Sequence, residues 1–270
     1  MEKEKQSVNH FKDPTLKTWQ EIGFSLEKTQ DGSPTLRRPT PSRPDFETGQ
    51  SMHHSGGAWE ETVYIYKPVT DWVKNKNFPE VRFLSVGLGL GYVELLVARE
   101  FVDHSVSQKV MLQSFEIVPE LGDYFKFWIF NQPLHPEVQK TYDEMGNFVF
   151  HSDQEKLKTA KSFLAELYEK KMWRIDGALE ELRAPQPIFH GLMYDAFSRA
   201  VSPGLWTPEF IKSFLQQWAA PDCCLGTFSC TGDLKRSLKA EGFDLQVRLG
   251  FQSKRNCTLA FRNSQEDVPG

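Results

Sequence analysis

Apolar and polar positions follow two regimes that meet near residue 80. From Val81 onward, short apolar runs alternate with segments whose apolar residues recur every three to four positions. "VRFLSVGLGLG" predicts a strand ending in glycines, and "YVELLVAREF" a helix with Val93, Leu96 and Val97 on one side. The alternation continues through strand "KVMLQSFEIV", helix "ELGDYFKFWIFN", strand "NFVFHSD" and the long amphipathic helix "QEKLKTAKSFLAELYEKK". A fourth strand "HGLMYDAF" precedes helix "TPEFIKSFLQQWA", with Thr207 as N-cap and Pro208 in its first turn. A fifth strand "CCLGTFS" precedes helix "GDLKRSLKAEGF", which Gly242 closes. Last, "DLQVRLGF" and "NCTLAFR" read as two strands of a hairpin. The fold class is therefore α/β: a mostly parallel sheet with helices on both faces, and a C-terminal antiparallel hairpin that places one antiparallel strand at or near an edge.

Before residue 79 the pattern is sparser. Residues 1–20 are polar. Phe24, Leu26 and Leu36 flank "DGSP", a turn signal between two short extended pieces. Residues 39–49 form a Pro-rich loop. "ETVYIYKPV" (61–69) starts extended and leads into a helix around Thr70–Lys76. Residues 1–78 are thus expected to be a small β-containing extension packed on a domain spanning 79–270, because they hold too few apolar side chains for a core of their own.

Composition narrows the class without choosing a function. Of 270 residues, 39% are hydrophobic and 25% charged, ordinary values for a globular protein. No apolar run reaches the ~18 residues of a membrane span, and the start lacks the apolar stretch of a secretory signal. Cys223, Cys224, Cys230 and Cys257 include no C-x-x-C pair, which favours reduced thiols in the cytoplasm over a disulfide frame or a zinc site. His53 and His54 read as loop residues, and no metal is expected. The net charge of −4 neither suggests nor excludes a nucleic-acid partner, since a local patch can bind phosphate on an acidic protein.

Four strands in succession end in glycine or an acid, on the edge where open α/β sheets bind ligands. Gly87, Gly89 and Gly91 form a strand-to-helix loop in G-x-G-x-G spacing, which lets a ligand approach the main chain or simply makes a tight turn. Glu116, at the tip of the next strand, suits a ribose diol or a cap for the helix from Pro119. Asp153 suits an adenine amine or the N-cap of the following helix. Asp195, near the switch point, faces the reacting part of a nucleoside ligand. The glycine loop with its acid fits NAD or S-adenosylmethionine. The spacing and the terminal hairpin favour the methyl donor, and no proton relay of an oxidoreductase stands out. Methyl transfer from a sulfonium asks mainly for positioning, and an acid such as Asp195 can orient an attacking amine and take its proton.

Several stretches, in order, resemble one family: "DGSPTLR", "WEETVYIY", "VGLGLG", "SFE", "YDAFSRAVSPGLWTPEF", "GTFSCTGDLKRSLKAEGF" and "GFQSKRN". Across residues 31–262 the chain resembles the methyltransferase domain of MnmC-type tRNA-modification enzymes. The resemblance implies a Rossmann-like class I methyltransferase that uses S-adenosylmethionine to methylate the amine of 5-aminomethyl-2-thiouridine at the tRNA wobble position. It implies that Gly87, Gly89 and Gly91 wrap the donor, Glu116 holds the ribose and Asp153 lies near the adenine. Asp195 then faces the methyl group and substrate amine, Phe197 walls the pocket and Glu61 projects toward the donor. Lys254 and Arg255 would meet the tRNA backbone. The chain departs from the family at Ala196, Ser198, Arg199, Leu90 and Asn256, chiefly on the substrate side. The length has no room for the flavin-dependent oxidase domain of bifunctional members, so a stand-alone cytoplasmic enzyme is expected. Methylation of another amine, and non-catalytic binding of a nucleoside or RNA, are the alternative readings.

Overall fold

The structure is a computed structural model that describes residues 17–40, 44–45, 48–102, 108–181, 188–253 and 256–263. A small antiparallel sheet leads: β1 (Ser25–Lys28), β2 (Pro34–Arg38) and β3 (Gln50–Ser51), in that order. The turn at Asp31-Gly32 joins the first two strands as expected, with Asp31 Oδ1 accepting from Ser33 N at 2.8 Å.

Helix α1 (Ala58–Asn75) follows. This corrects the extended start expected for residues 61–69. The β-branched and aromatic residues of "TVYIY" favour a strand locally, but Ala58, Thr62, Ile65, Tyr66, Val69 and Val73 are buried at helical spacing. Pro68 lies inside the helix and removes the donor for the Tyr64 carbonyl. Arg248 replaces that donor, its Nη1 reaching Tyr64 O at 3.1 Å. The helix lies close on the large sheet because Gly191 and Gly226 leave room: a Cβ on Gly226 would meet Val69 Cγ2 at 2.8 Å.

The large sheet holds β4 (Glu80–Val86), β5 (Lys109–Phe115), β6 (Trp173–Asp176), β7 (Phe189–Tyr194), β8 (Ala219–Thr227), β9 (Asp244–Arg248) and β10 (Cys257–Arg262). Its order is β6-β5-β4-β7-β8-β10-β9, and β10 alone runs antiparallel to its neighbours. The final hairpin thus puts one antiparallel strand next to the edge strand β9, as its sequence pattern predicts. Helices α2 (Tyr92–Phe101), α3 (Pro119–Ile129), α4 (Pro136–Val149), α5 (Gln154–Glu169), α6 (Pro208–Trp218) and α7 (Gly232–Ala240) complete the fold. Thr207 caps α6 through Phe210 N, and Gly242 follows α7 at φ 80°.

The expected third strand, "NFVFHSD", is instead the end of α4 and the turn after it. Val138, Tyr142, Met145 and Val149 form one buried stripe, and Gly146 fits under Trp128 and Leu157. Helical periodicity over four turns outweighs the strand preference of Phe148-Val149-Phe150. The third strand position belongs to β6, a four-residue strand beside β5. Asp153 consequently does not stand at a strand tip. It caps α5, accepting from Lys156 N at 3.1 Å, and is exposed. The adenine role implied for it is not available at that place.

Candidate functional site

The chain crosses from one side of β4 to the other between β6 and β7, so the sheet's switch point lies at the carboxyl ends of β4 and β7. A cavity of about 310 Å³ opens there. That volume is at the small end of the ~300–1,000 Å³ range of ligand pockets. Gly87 and Gly89 form its floor, and Glu116, Ile117, Asp195 and Phe197 also line it. The loop from Val201 to Leu205 lines it as well.

The floor depends on two backbone conformations. Gly87 has φ 89°, and a Cβ there would lie 2.7 Å from Asp195 O. Its N–H donates to Phe115 O at 3.0 Å, while Asp195 N donates to Val86 O at 2.9 Å. Three strand ends are thereby tied together. Gly91 does different work. It precedes α2 and lies against the Phe125 ring, 2.4 Å from where a Cβ would be, and does not line the cavity.

Glu116 is fixed by the loop it serves. Oε2 accepts from Gly89 N and Oε1 from Val118 N, each at 2.9 Å. Burial raises its pKa, and these backbone donors oppose the rise. Each oxygen keeps a further acceptor site for a diol. Beside it Ile117 is 67% exposed into the cavity mouth, an apolar face suited to a flat ring.

Asp195 stands among acids. Burial pushes its carboxyl well above the ordinary range; the Tyr66 hydroxyl opposes this, and Glu61 and Glu94 add to it. The Tyr66 hydroxyl is buried and makes no hydrogen bond of ordinary geometry, so its action on Asp195 is that of a near neighbour positioned to donate. Glu61 does not line the cavity. It sits in the first turn of α1, where Oε2 accepts from His54 N at 2.6 Å, and acts on Asp195 through charge. Behind the glycine loop, Glu94 is fully buried. Oε1 accepts from Ser114 Oγ at 2.7 Å, and burial raises its pKa to about 7.

Phe197 is held by its own backbone, with Trp206 Nε1 donating to Phe197 O at 2.7 Å. Trp206 is buried edge-on against Tyr194 and Phe228, so it packs beneath the loop. Lys254 and Arg255 lie outside the described residues.

Sequence reasoning missed two contributors. The small N-terminal sheet reaches the cavity through Gln50, Met52 and His53. Met52 Sδ lies 3.2 Å from where a Cβ on Gly89 would stand, and Gln50 Oε1 accepts from Ser198 Oγ at 2.7 Å. Residues Gly177–Glu180, after β6, form the far end. Their place was illegible once the third strand had been assigned elsewhere. No group of three or more metal-ligating side chains occurs among the described residues.

These features fit S-adenosylmethionine. The glycine floor admits no side chain, Glu116 offers acceptors for a ribose, Ile117 offers an apolar face, and clustered carboxylates suit a sulfonium cation. Comparison with known proteins agrees. Residues 142–263 match the model of a family described as S-adenosyl-L-methionine-dependent methyltransferase. The bifunctional tRNA 5-methylaminomethyl-2-thiouridine biosynthesis protein MnmC of Aromatoleum aromaticum is 41% identical over 61 residues, 23% of this chain and 9% of that protein. The MnmC of Caulobacter vibrioides is 32% identical over 84 residues, 31% of this chain and 14% of that protein. The chain therefore spans only a small part of the curated relatives it matches. The crystal structure of MNMC2 from Aquifex aeolicus has the same fold, with a TM-score of 0.62 at 22% identity over 92% of this chain and 72% of that one. The fold is the Rossmann-like one expected of class I methyltransferases. Over residues 142–263 the chain is similar to S-adenosyl-L-methionine-dependent methyltransferases, and over shorter stretches it is similar to MnmC proteins.

Proposed function

We propose that the protein methylates the amine of 5-aminomethyl-2-thiouridine at the tRNA wobble position. The observation that carries this reading is the place of Asp195. It is a desolvated carboxyl on the wall between the glycine floor and the acceptor loop. The short MnmC matches supply the acceptor class.

S-adenosylmethionine brings a methyl group already activated on sulfur, so the protein's task is alignment. Gly87 and Gly89 let the donor lie against main chain, and Glu116 takes the ribose hydroxyls. Asp195 ionises more readily beside a sulfonium cation than in the empty cavity. It would then accept a hydrogen bond from the neutral amine and take the amine proton as the N–C bond forms and the methyl–sulfur bond breaks, leaving S-adenosylhomocysteine. Phe197 and the 201–205 loop exclude water from this side. We assign donor binding to residues 79–270 and take 1–78 as an extension, whose Gln50, Met52 and His53 complete the cavity. We place the reaction in the cytoplasm; no helix among the described residues is long and apolar enough to cross a membrane.

The test is transfer of labelled methyl from S-adenosylmethionine to tRNA bearing 5-aminomethyl-2-thiouridine. Asp195→Ala is expected to lower the rate by about 10²-fold or more, the usual scale for a lost acid–base group, while retaining S-adenosylhomocysteine binding. Wild-type protein that binds the donor product yet never methylates this tRNA refutes the acceptor.

A further inference from the structure

We propose that Arg38 anchors an RNA backbone phosphate beside the acceptor nucleotide, an assignment that rests on the tRNA reading above. Arg38 ends β2 directly opposite Gln50 of β3. Residues so paired project from the same face of the sheet. Gln50 reaches the cavity and the Ser198 hydroxyl on that face. The Arg38 guanidinium lies 5.7 Å from the Phe197 ring centroid and 5.9 Å from that of Phe24. It therefore sits against the cavity's acceptor wall, next to the cavity and not in it.

Its neighbours are already committed. Arg37 pairs with Glu27 at 2.7 Å, Arg199 with Asp233 at 3.3 Å, and Arg236 with the same Asp233. Among the described residues the Arg38 guanidinium packs against the two rings without a hydrogen bond or ion pair, and its charge acts on Glu116, opposing the rise of that carboxyl's pKa. A guanidinium presents five N–H donors in one plane, matched to two phosphate oxygens at once. Packing against aromatic rings restrains the group and leaves its N–H edges available, so little side-chain freedom is lost on binding.

The surroundings give such a group a purpose. Glu61, Glu94, Glu116 and Asp195 cluster around the cavity, and the chain carries a net charge of −4. These buried carboxyls ionise in company with a cationic donor and then oppose the approach of a polyanion. An RNA strand delivering its base to Asp195 needs a fixed cation near the acceptor wall. The donor's own carboxylate is the competing anion, but it belongs inside the cavity, which Arg38 does not line.

The experiment uses the full chain with Arg38→Gln and Arg38→Lys, measuring affinity for tRNA across a salt series and affinity for S-adenosylhomocysteine. Arg38→Gln is expected to bind tRNA about tenfold more weakly near physiological salt, with the slope of log K against log salt reduced by about 0.7–0.9. Its S-adenosylhomocysteine affinity should fall far less than its tRNA affinity, because Arg38 acts on Glu116 only through charge. Arg38→Lys should keep the slope and lose part of the affinity, because the charge remains and the fork does not. Wild-type tRNA affinity and slope in Arg38→Gln overturn the phosphate assignment alone. Weakened S-adenosylhomocysteine binding with intact tRNA binding overturns it in favour of the donor carboxylate. Failure of the wild-type protein to bind tRNA refutes the tRNA reading and this assignment with it.

Discussion

Glu94→Gln should make the protein more stable, and by an amount that depends on pH. Glu94 is fully buried behind the glycine loop, its Oε2 has no hydrogen-bond partner, and burial lifts its pKa from 4.5 to about 7. The folded state therefore holds this proton to higher pH than the unfolded state does. Stability falls as pH rises from about 4.5 to about 7, and the full cost is present above that window. At ~1.36 kcal/mol per pH unit the cost reaches about 3 kcal/mol at pH 8 and is below about 1 kcal/mol at pH 5. A glutamine has nearly the same shape, accepts from Ser114 through its carbonyl and never ionises. The substitution also removes one of the charges that raise Asp195.

Urea unfolding of both proteins at pH 5, 6, 7 and 8 measures this directly. The stability difference should grow toward alkaline pH by about 2–3 kcal/mol, equivalent to a melting-temperature gap of roughly 5–10 °C at pH 8 for a domain of this size. A difference independent of pH would show that Glu94 does not hold a proton in the fold. A mutant less stable than wild type at pH 8 would show that its carboxylate is stabilised by partners that outweigh burial.

Two further substitutions test the cavity. Tyr66→Phe removes the group that lowers the Asp195 pKa, so the acid limb of the pH–rate profile should move to higher pH, with stability nearly unchanged because the hydroxyl makes no ordinary hydrogen bond; a limb that stays or moves down rules out this positioning role. Glu116→Gln should weaken S-adenosylhomocysteine by about 10- to 100-fold, the ~1.5–3 kcal/mol typical of hydrogen bonds to a charged group, and shrink the ligand's thermal stabilisation accordingly; undiminished stabilisation would remove Glu116 from the ribose site.

Much of the sheet was legible because its rules are local. The strand of Val81–Val86, the glycines after it and the acids at Glu116 and Asp195 follow from alternation of short apolar runs with helical ones. Asp153 shows where this fails. The run Phe148-Val149-Phe150 has strand propensity, and only its burial beside Val138, Tyr142 and Met145 makes it helix. The same override turned "TVYIY" into helix, because Gly191 and Gly226 let that face dock on the sheet.

The sequence by itself determined the α/β alternation, the glycine floor, the antiparallel strand near the edge and the acids offered at the sheet's ligand edge. The tertiary structure alone decided which acids share a cavity and what closes it. The difference has a physical cause. Periodicity and turn chemistry act over a few residues, whereas the desolvation of Asp195, the pairing of Arg38 with Gln50 and the hydrogen bond from Ser198 to Gln50 join parts of the chain that only packing brings together.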